Sequence, residues 1–235
     1  MSLEFPFNVS RLSWRSLTLC LLFGYGVSAH AASVSYYLNQ SNVDAAPLVD
    51  GVNYAQVTID NNTVNKLTFN VTLLAPLTSI ASTNFGIQDF SFNVAGTNPL
   101  SDSGAVAGQW TLASGWGANV APPPNQADGF GKFDAQVAAT GNSRANPTLT
   151  FSIDSASTGL ALSSFAKTST NGNGQGNVYF AAHIAGYNGP GGNTGGYFGG
   201  SVSVTPSSVP VPASAWLFAS CLASLAGLAR KRKTA

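Results

Sequence analysis

Charge is what this 235-residue sequence has least of: Asp, Glu, Lys and Arg together make up 8% of it. Between residues 32 and 205 the cations are Lys66, Lys132, Arg144 and Lys167, set against eight aspartates and no glutamate, a net charge of −4. With no basic patch, nucleic acid is excluded as a partner. Glycosidase chemistry needs two carboxylates across a cleft, and here only paired aspartates are on offer. The two cysteines, Cys20 and Cys221, lie in apolar stretches near the two ends, so the body has neither a disulfide nor thiol chemistry. His183 is the one histidine of the body, too few for a histidine-rich metal site. No serine or cysteine elbow accompanies it. His183 therefore reads as a strand residue on the solvated side, opposite Val178 and Ile184, and the body reads as no enzyme, with no cofactor and no metal.

What is present in quantity is glycine, asparagine, serine and threonine, together with 14 phenylalanines. Low charge with that much Phe, Val, Ile and Leu argues for a folded body rather than a disordered one. Hydroxyls and amides supply the solubility that charge does not, as in exported β proteins.

The two ends read as targeting segments rather than fold elements. Arg11 and Arg15 precede an apolar run over 17–27, and Ala29-His30-Ala31 fits the small-x-small pattern of a signal-peptidase site. Residues 1–31 are expected to be a signal peptide cut after Ala31. Cys20 follows Leu19 rather than a small residue, which argues against a lipoprotein cut. At the other end, prolines 206, 210 and 212 make an extended stretch, since each fixes φ and disfavours helix before it. From 213 to 229 every residue is apolar or small, 17 positions where a full span takes about 20. A single short transmembrane helix is expected there. Trp216 suits the outer interface and Arg230-Lys231-Arg232-Lys233 the cytoplasmic side, which puts the body outside the inner membrane.

The succession Val209-Pro210-Val211-Pro212-Ala213, then Trp216-Leu217-Phe218, then a Gly/Ala/Leu-rich span, then Arg230 to Lys233, resembles the PEP-CTERM sorting signal in its VPLPA-like variety. The resemblance covers about 209–233 and departs from the type motif in having Val211 where that motif has Glu. It implies a bacterial protein carrying a signal peptide and processed by an exosortase, a membrane-embedded, transpeptidase-like cysteine protease. In that scheme 206–235 is a removable sorting tail. The protein is anchored transiently in the inner membrane and then reaches the cell surface or the extracellular space. A weaker likeness of Gly129-Phe130-Gly131-Lys132-Phe133-Asp134 and Val178-Tyr179-Phe180-Ala181-Ala182-His183 to ectodomains of that family agrees with it.

The body, 32–205, is dominated by strand signals. Leu67, Phe69, Val71 and Leu73 alternate with Lys66, Thr68, Asn70 and Thr72, the period of a half-buried strand. Val57 and Ile59 precede them, and Asp60-Asn61-Asn62 supplies the turn of a hairpin. The same alternation marks Val34-Tyr36-Leu38, Phe90-Phe92-Val94, Leu149-Phe151-Ile153, Val178-Phe180-Ala182-Ile184 and Phe198-Val202-Val204. With the stretch around Phe130 and Phe133 this predicts about eight strands. The economical arrangement is an all-β, antiparallel, jelly-roll-like β-sandwich. Loops are expected at 96–108, 115–128, 171–177 and 188–200, with Pro122-Pro123-Pro124 stiffening the second. Gly189 to Gly196 mimics a phosphate loop but lacks its Lys-Ser/Thr ending.

Three functions follow, in order of preference. The first is a non-catalytic surface or matrix protein, associated with exopolysaccharide and dependent on an exosortase. Next is a carbohydrate-binding module, with Trp110, Trp116, Tyr187 and Tyr197 as a stacking platform; burial in the core is the competing account of those rings. The third is an envelope hydrolase with paired aspartates. Asp50-Gly51-Val52-Asn53, Asp60-Asn61-Asn62 and 128–134 offer oxygen ligands for Ca²⁺, but turn chemistry explains them better.

Overall fold

A computed structural model describes residues 32–204. The expected leader, sorting tail and 213–229 helix lie outside the described residues. Among the described residues no helix is long and apolar enough to cross a membrane.

The described residues fold as two six-stranded antiparallel sheets. The first has the order β12 (Val202–Val204), β1 (Ser33–Leu38), β3 (Ala55–Asp60), β4 (Lys66–Leu73), β9 (Thr148–Asp154), β6 (Trp110–Thr111). The second runs β2 (Gln40–Ser41), β11 (Gly195–Gly200), β10 (Phe180–Tyr187), β5 (Ala81–Phe92), β8 (Gly131–Ala139), β7 (Trp116–Ala127). Only β3–β4, β7–β8 and β10–β11 are hairpins between neighbours in one sheet; the remaining connections pass between sheets.

Alternation in the sequence becomes alternation in burial. Along β4, Leu67, Phe69, Val71 and Leu73 are buried while Lys66, Thr68, Asn70 and Thr72 are not. Their partners from the second sheet include Phe90, Phe92, Phe180 and Ile184, all in one core. Phenylalanine stitches the layers together. Phe69 stacks on Phe151 at 4.6 Å within its sheet and meets Phe92 of the facing sheet at 5.4 Å. On the outer face of the first sheet, hydroxyls and amides pair across strands: Ser35 with Thr58, Thr72 with Thr148, and Thr150 donating to Asn70. These bonds let a face nearly devoid of charge remain polar.

Three expectations need correction. Among the described residues there are twelve strands rather than about eight. The proline-bearing stretch expected as a loop at 115–128 is largely β7, an edge strand whose register breaks between Val120 and Asn125. An edge tolerates prolines because one side of its ladder is unused. The segment expected to be a single strand through Phe198, Val202 and Val204 divides at Ser201, with β11 in the second sheet and β12 in the first. Gly200 marks the crossing: any side chain there would run into the Tyr37 carbonyl and the Leu38 Cα. Half of the glycine-rich stretch 188–200, expected as loop, is thereby strand β11.

Candidate functional site

On the outer face of the second sheet, Tyr197, His183 and Asp89 lie side by side on three neighbouring strands. Pairing alone aligns them, because Tyr197 opposes His183 and His183 opposes Asp89. A register shift follows at once, with Ile184 opposite Ile87, and inserts Gln88 as an extra residue in β5. The Gln88 side chain bonds the imidazole, Nδ1 to Oε1, at 2.9 Å. With a carbonyl oxygen as its partner, Nδ1 carries the proton and Nε2 is left as an acceptor. The two hydrogen bonds between Ile87 and Ala145 bring Arg144 to the same place.

Asp89 is 8% exposed. Burial pushes its carboxyl from the ordinary 3.8 up to about 6, against the Gln136 side chain, the His183 backbone amide, the Tyr197 hydroxyl and the Arg144 charge, which all pull it down. Among the described residues its Oδ1 nevertheless has no hydrogen-bond partner, and neither does the buried Arg144 Nε. Ser91 Oγ and Asn93 Nδ2, at the next alternate positions, are unpartnered too. Burial, and then the Arg144 charge, holds His183 below its usual range. The Tyr197 phenol is raised first by burial and then by Asp89 and Asp128, so it keeps its proton. The Tyr197 ring packs on the imidazole with centroids 4.8 Å apart. The row is thus a set of hydrogen-bonding groups held by packing, in which burial disfavours the charged form of each side chain.

The same tyrosine ring forms part of the wall of a cavity of about 380 Å³, lined also by Gln126, Asp128, Lys132, Asn171 and Asn173. Two segments make it, the turn from β7 into β8 and the loop after Thr170, and backbone bonds tie them together. Lys132 and Thr170 exchange two hydrogen bonds at 2.7 and 3.2 Å, and Asn173 and Gln175 both donate to the Gly129 carbonyl. The approach is so close that Gly131, at φ +90°, has Thr170 and Gly172 backbone where a Cβ would sit. Beneath lies a second small core of Ala127, Phe130, Phe133, Val178 and Ala181, against which Tyr197 also packs.

Of the four aromatic residues expected as a sugar platform, Tyr197 alone borders this cavity. Tyr187 is fully buried against Phe198. Trp110 packs on Phe92 and Phe151 and donates its indole N–H to the Ser101 carbonyl, while Trp116 is half-buried on the main core. His183 lies on the outward side of β10, half-buried beneath Tyr197 rather than free in solvent. Asp60 and Asp50 serve turns by accepting from the backbone amides of Asn62 and Ser41. Among the described residues no group of three or more His, Cys, Asp or Glu gathers as for a metal ion. The residues 209–213, Trp216, Leu217, Phe218 and 230–233 lie outside the described residues.

Sequence reasoning did not single out Asp89, Gln136, Arg144, Asn171 or Asn173. Alternation assigns Asp89 to the side of its strand away from Phe90, but which strands flank it is set by pairing partners nearly a hundred residues apart in sequence. No protein-family model, curated protein sequence or solved structure matches this chain.

Proposed function

We propose that this chain is a non-catalytic, exported bacterial surface or extracellular-matrix protein, sorted and processed through its PEP-CTERM-like tail. The observation that carries the reading is the order of features in 209–233: the proline motif, the aromatic start of a short apolar span, and the basic cluster. The physical logic assigns each feature a job. Span and cluster hold the chain in the inner membrane with its C-terminus inside, and the stiff proline stretch presents extended backbone to an exosortase. The leader over 1–31 fits the same route. Within this proposal the sandwich is a jelly-roll-like module, supported by the predominance of connections that pass between its sheets.

The test compares size and location of the full chain in cells with and without an exosortase. Pro212→Ala should leave insertion intact and block processing, whereas neutral residues at 230–233 should weaken retention instead. Equal processing in both strains would make the tail a plain membrane anchor and remove the main support for this role. A second reading, a carbohydrate-binding sandwich, is favoured by one observation: an outward tyrosine bordering a polar cavity.

A further inference from the structure

The cavity between the β7–β8 turn and the 171–173 loop is a ready-formed site of mixed polarity, and its lining restricts what it can hold. We infer that it binds one or two residues of a neutral saccharide, with the Tyr197 ring as the wall and Asp128, Lys132, Asn171 and Asn173 as the hydrogen-bonding groups. The inference rests on the carbohydrate-binding reading and gives that reading a location and a ligand class.

Four observations lead there. The first is size, since about 380 Å³ lies at the low end of the roughly 300–1,000 Å³ typical of small-molecule sites. The second is charge. Asp128 and Lys132 cancel, and the remaining polar side chains, Gln126, Asn171 and Asn173, are amides. A phosphate or a uronic acid would want an excess of donors and cations, and a metal ion would want more than one carboxylate beside an ammonium. Amides that donate and accept, beside a carboxylate that accepts and an ammonium that donates, instead suit vicinal hydroxyls, which do both.

Third is the aromatic wall. A tyrosine ring offers an apolar face, which suits the C–H face of a pyranose. This ring is fixed by its packing on His183 and on the second core, so little rotamer freedom is lost on binding. Last is preorganisation. The loop after Thr170 is rich in glycine and asparagine, a composition that commonly stays mobile, yet it is bonded at Thr170, Asn173 and Gln175 to the opposite turn. A further bond, from Gly172 N–H to Asn177 Oδ1 at 2.8 Å, closes the loop on itself. Asn42 also donates to Asp128 Oδ2 at 3.1 Å, which aims that carboxylate.

The experiment uses the full chain in a detergent without a sugar headgroup, and measures saturable binding by calorimetry and ligand-observed NMR. Cellotriose, maltotriose and chitotriose are the neutral probes, and trigalacturonate is the anionic one. The variants are Asp128→Ala, Asn173→Ala and Tyr197→Phe. Thr150→Ala, on the exposed outer face of the other sheet, is the control. At least one neutral probe should bind, weakened about tenfold by Asp128→Ala, the loss of one charge-assisted hydrogen bond. Asn173→Ala, in an exposed loop position where folding is not at stake, should weaken it severalfold, and Thr150→Ala not at all. Binding that none of the three variants changes would overturn this site while leaving the sandwich a sugar binder elsewhere. Binding of trigalacturonate alone would overturn the neutral ligand class. Failure of every probe would overturn both the site and the carbohydrate-binding reading.

Discussion

Ionised Asp89 is costly where it sits. Its folded-state pKa of about 6, against 3.8 ordinarily, means that the native protein holds this proton more tightly than the unfolded chain. Its contribution to stability is therefore full below about pH 4 and is lost as pH rises through 6. A shift of about two units corresponds to at most about 3 kcal/mol. Asp89→Asn keeps the shape and an acceptor for Gln136 and Tyr197, so denaturant unfolding of the full chain at pH 7.5 should show a gain approaching that figure. At pH 4 the gain should nearly vanish. A variant equally stable, relative to the parent, at both pH values would show that Asp89 is not buried as ionised carboxylate. His183 works with the opposite sign. Its lowered pKa gives a contribution present above about pH 6.5 and lost as pH falls through the depressed value. In the main core, Phe69 touches Phe90, Phe92, Phe151 and Phe165, at the centre of the contact between sheets. Phe69→Ala should cost about 3–5 kcal/mol by the same unfolding measurement, the usual penalty for emptying a rigid aromatic core position.

Between elements, side chains and glycines act where the ladders stop. Asp134 on β8 receives both the Val94 amide at 3.0 Å and Lys167 Nζ at 2.7 Å, and its own amide donates to Asn93 Oδ1. The ion pair itself is partly exposed, with side chains 37% and 26% accessible, so Lys167→Ala should cost under about 1 kcal/mol. Asp134→Ala leaves the Val94 amide without its acceptor as well and should cost about 1–3 kcal/mol. Equal losses from the two substitutions would mean that the ion pair, not the amide bond, holds the end of β5 to β8. Gly131 governs the other junction, the strap between β8 and the 170–172 segment. Gly131→Ala combines a positive φ with a collision against Thr170 backbone, so the strap must open. Amide exchange at Lys132 and Thr170 should accelerate in this variant while exchange in β4 stays slow.

At the scale of the whole molecule, the low charge of the sequence and the arrangement of its surface are one fact. Outward positions of the first sheet satisfy one another through hydroxyl and amide pairs, so the sandwich stays polar with little charge to screen. Circular dichroism of the full chain should therefore be dominated by sheet, and its unfolding midpoint should respond weakly to salt. In the proposed export route, N-terminal sequencing of the envelope-associated protein should begin at Ala32. An intact Met1 or Ser2 would remove the leader from the proposal.

Periodicity is a local property, so the sequence by itself determined the β class, the half-buried strands around Phe69, Phe90, Phe151 and Phe180, the hairpin of β3 and β4, whose tight turn falls at Thr63 to Lys66 just beyond Asp60–Asn62, and the absence of cysteine from the body. The proposed leader and tail are read from linear patterns of the same local kind. Register and sheet membership are not local. The edge strand β7 reads as a proline loop until an empty side of a sheet makes its prolines acceptable. The segment 198–204 reads as one strand until Gly200 lets it pass from one sheet to the other. The row Tyr197–His183–Asp89 and the cavity beside it join residues from five separate stretches of chain. Only the pairing of strands far apart in sequence, and the docking of a glycine-rich loop against a turn, bring those side chains together.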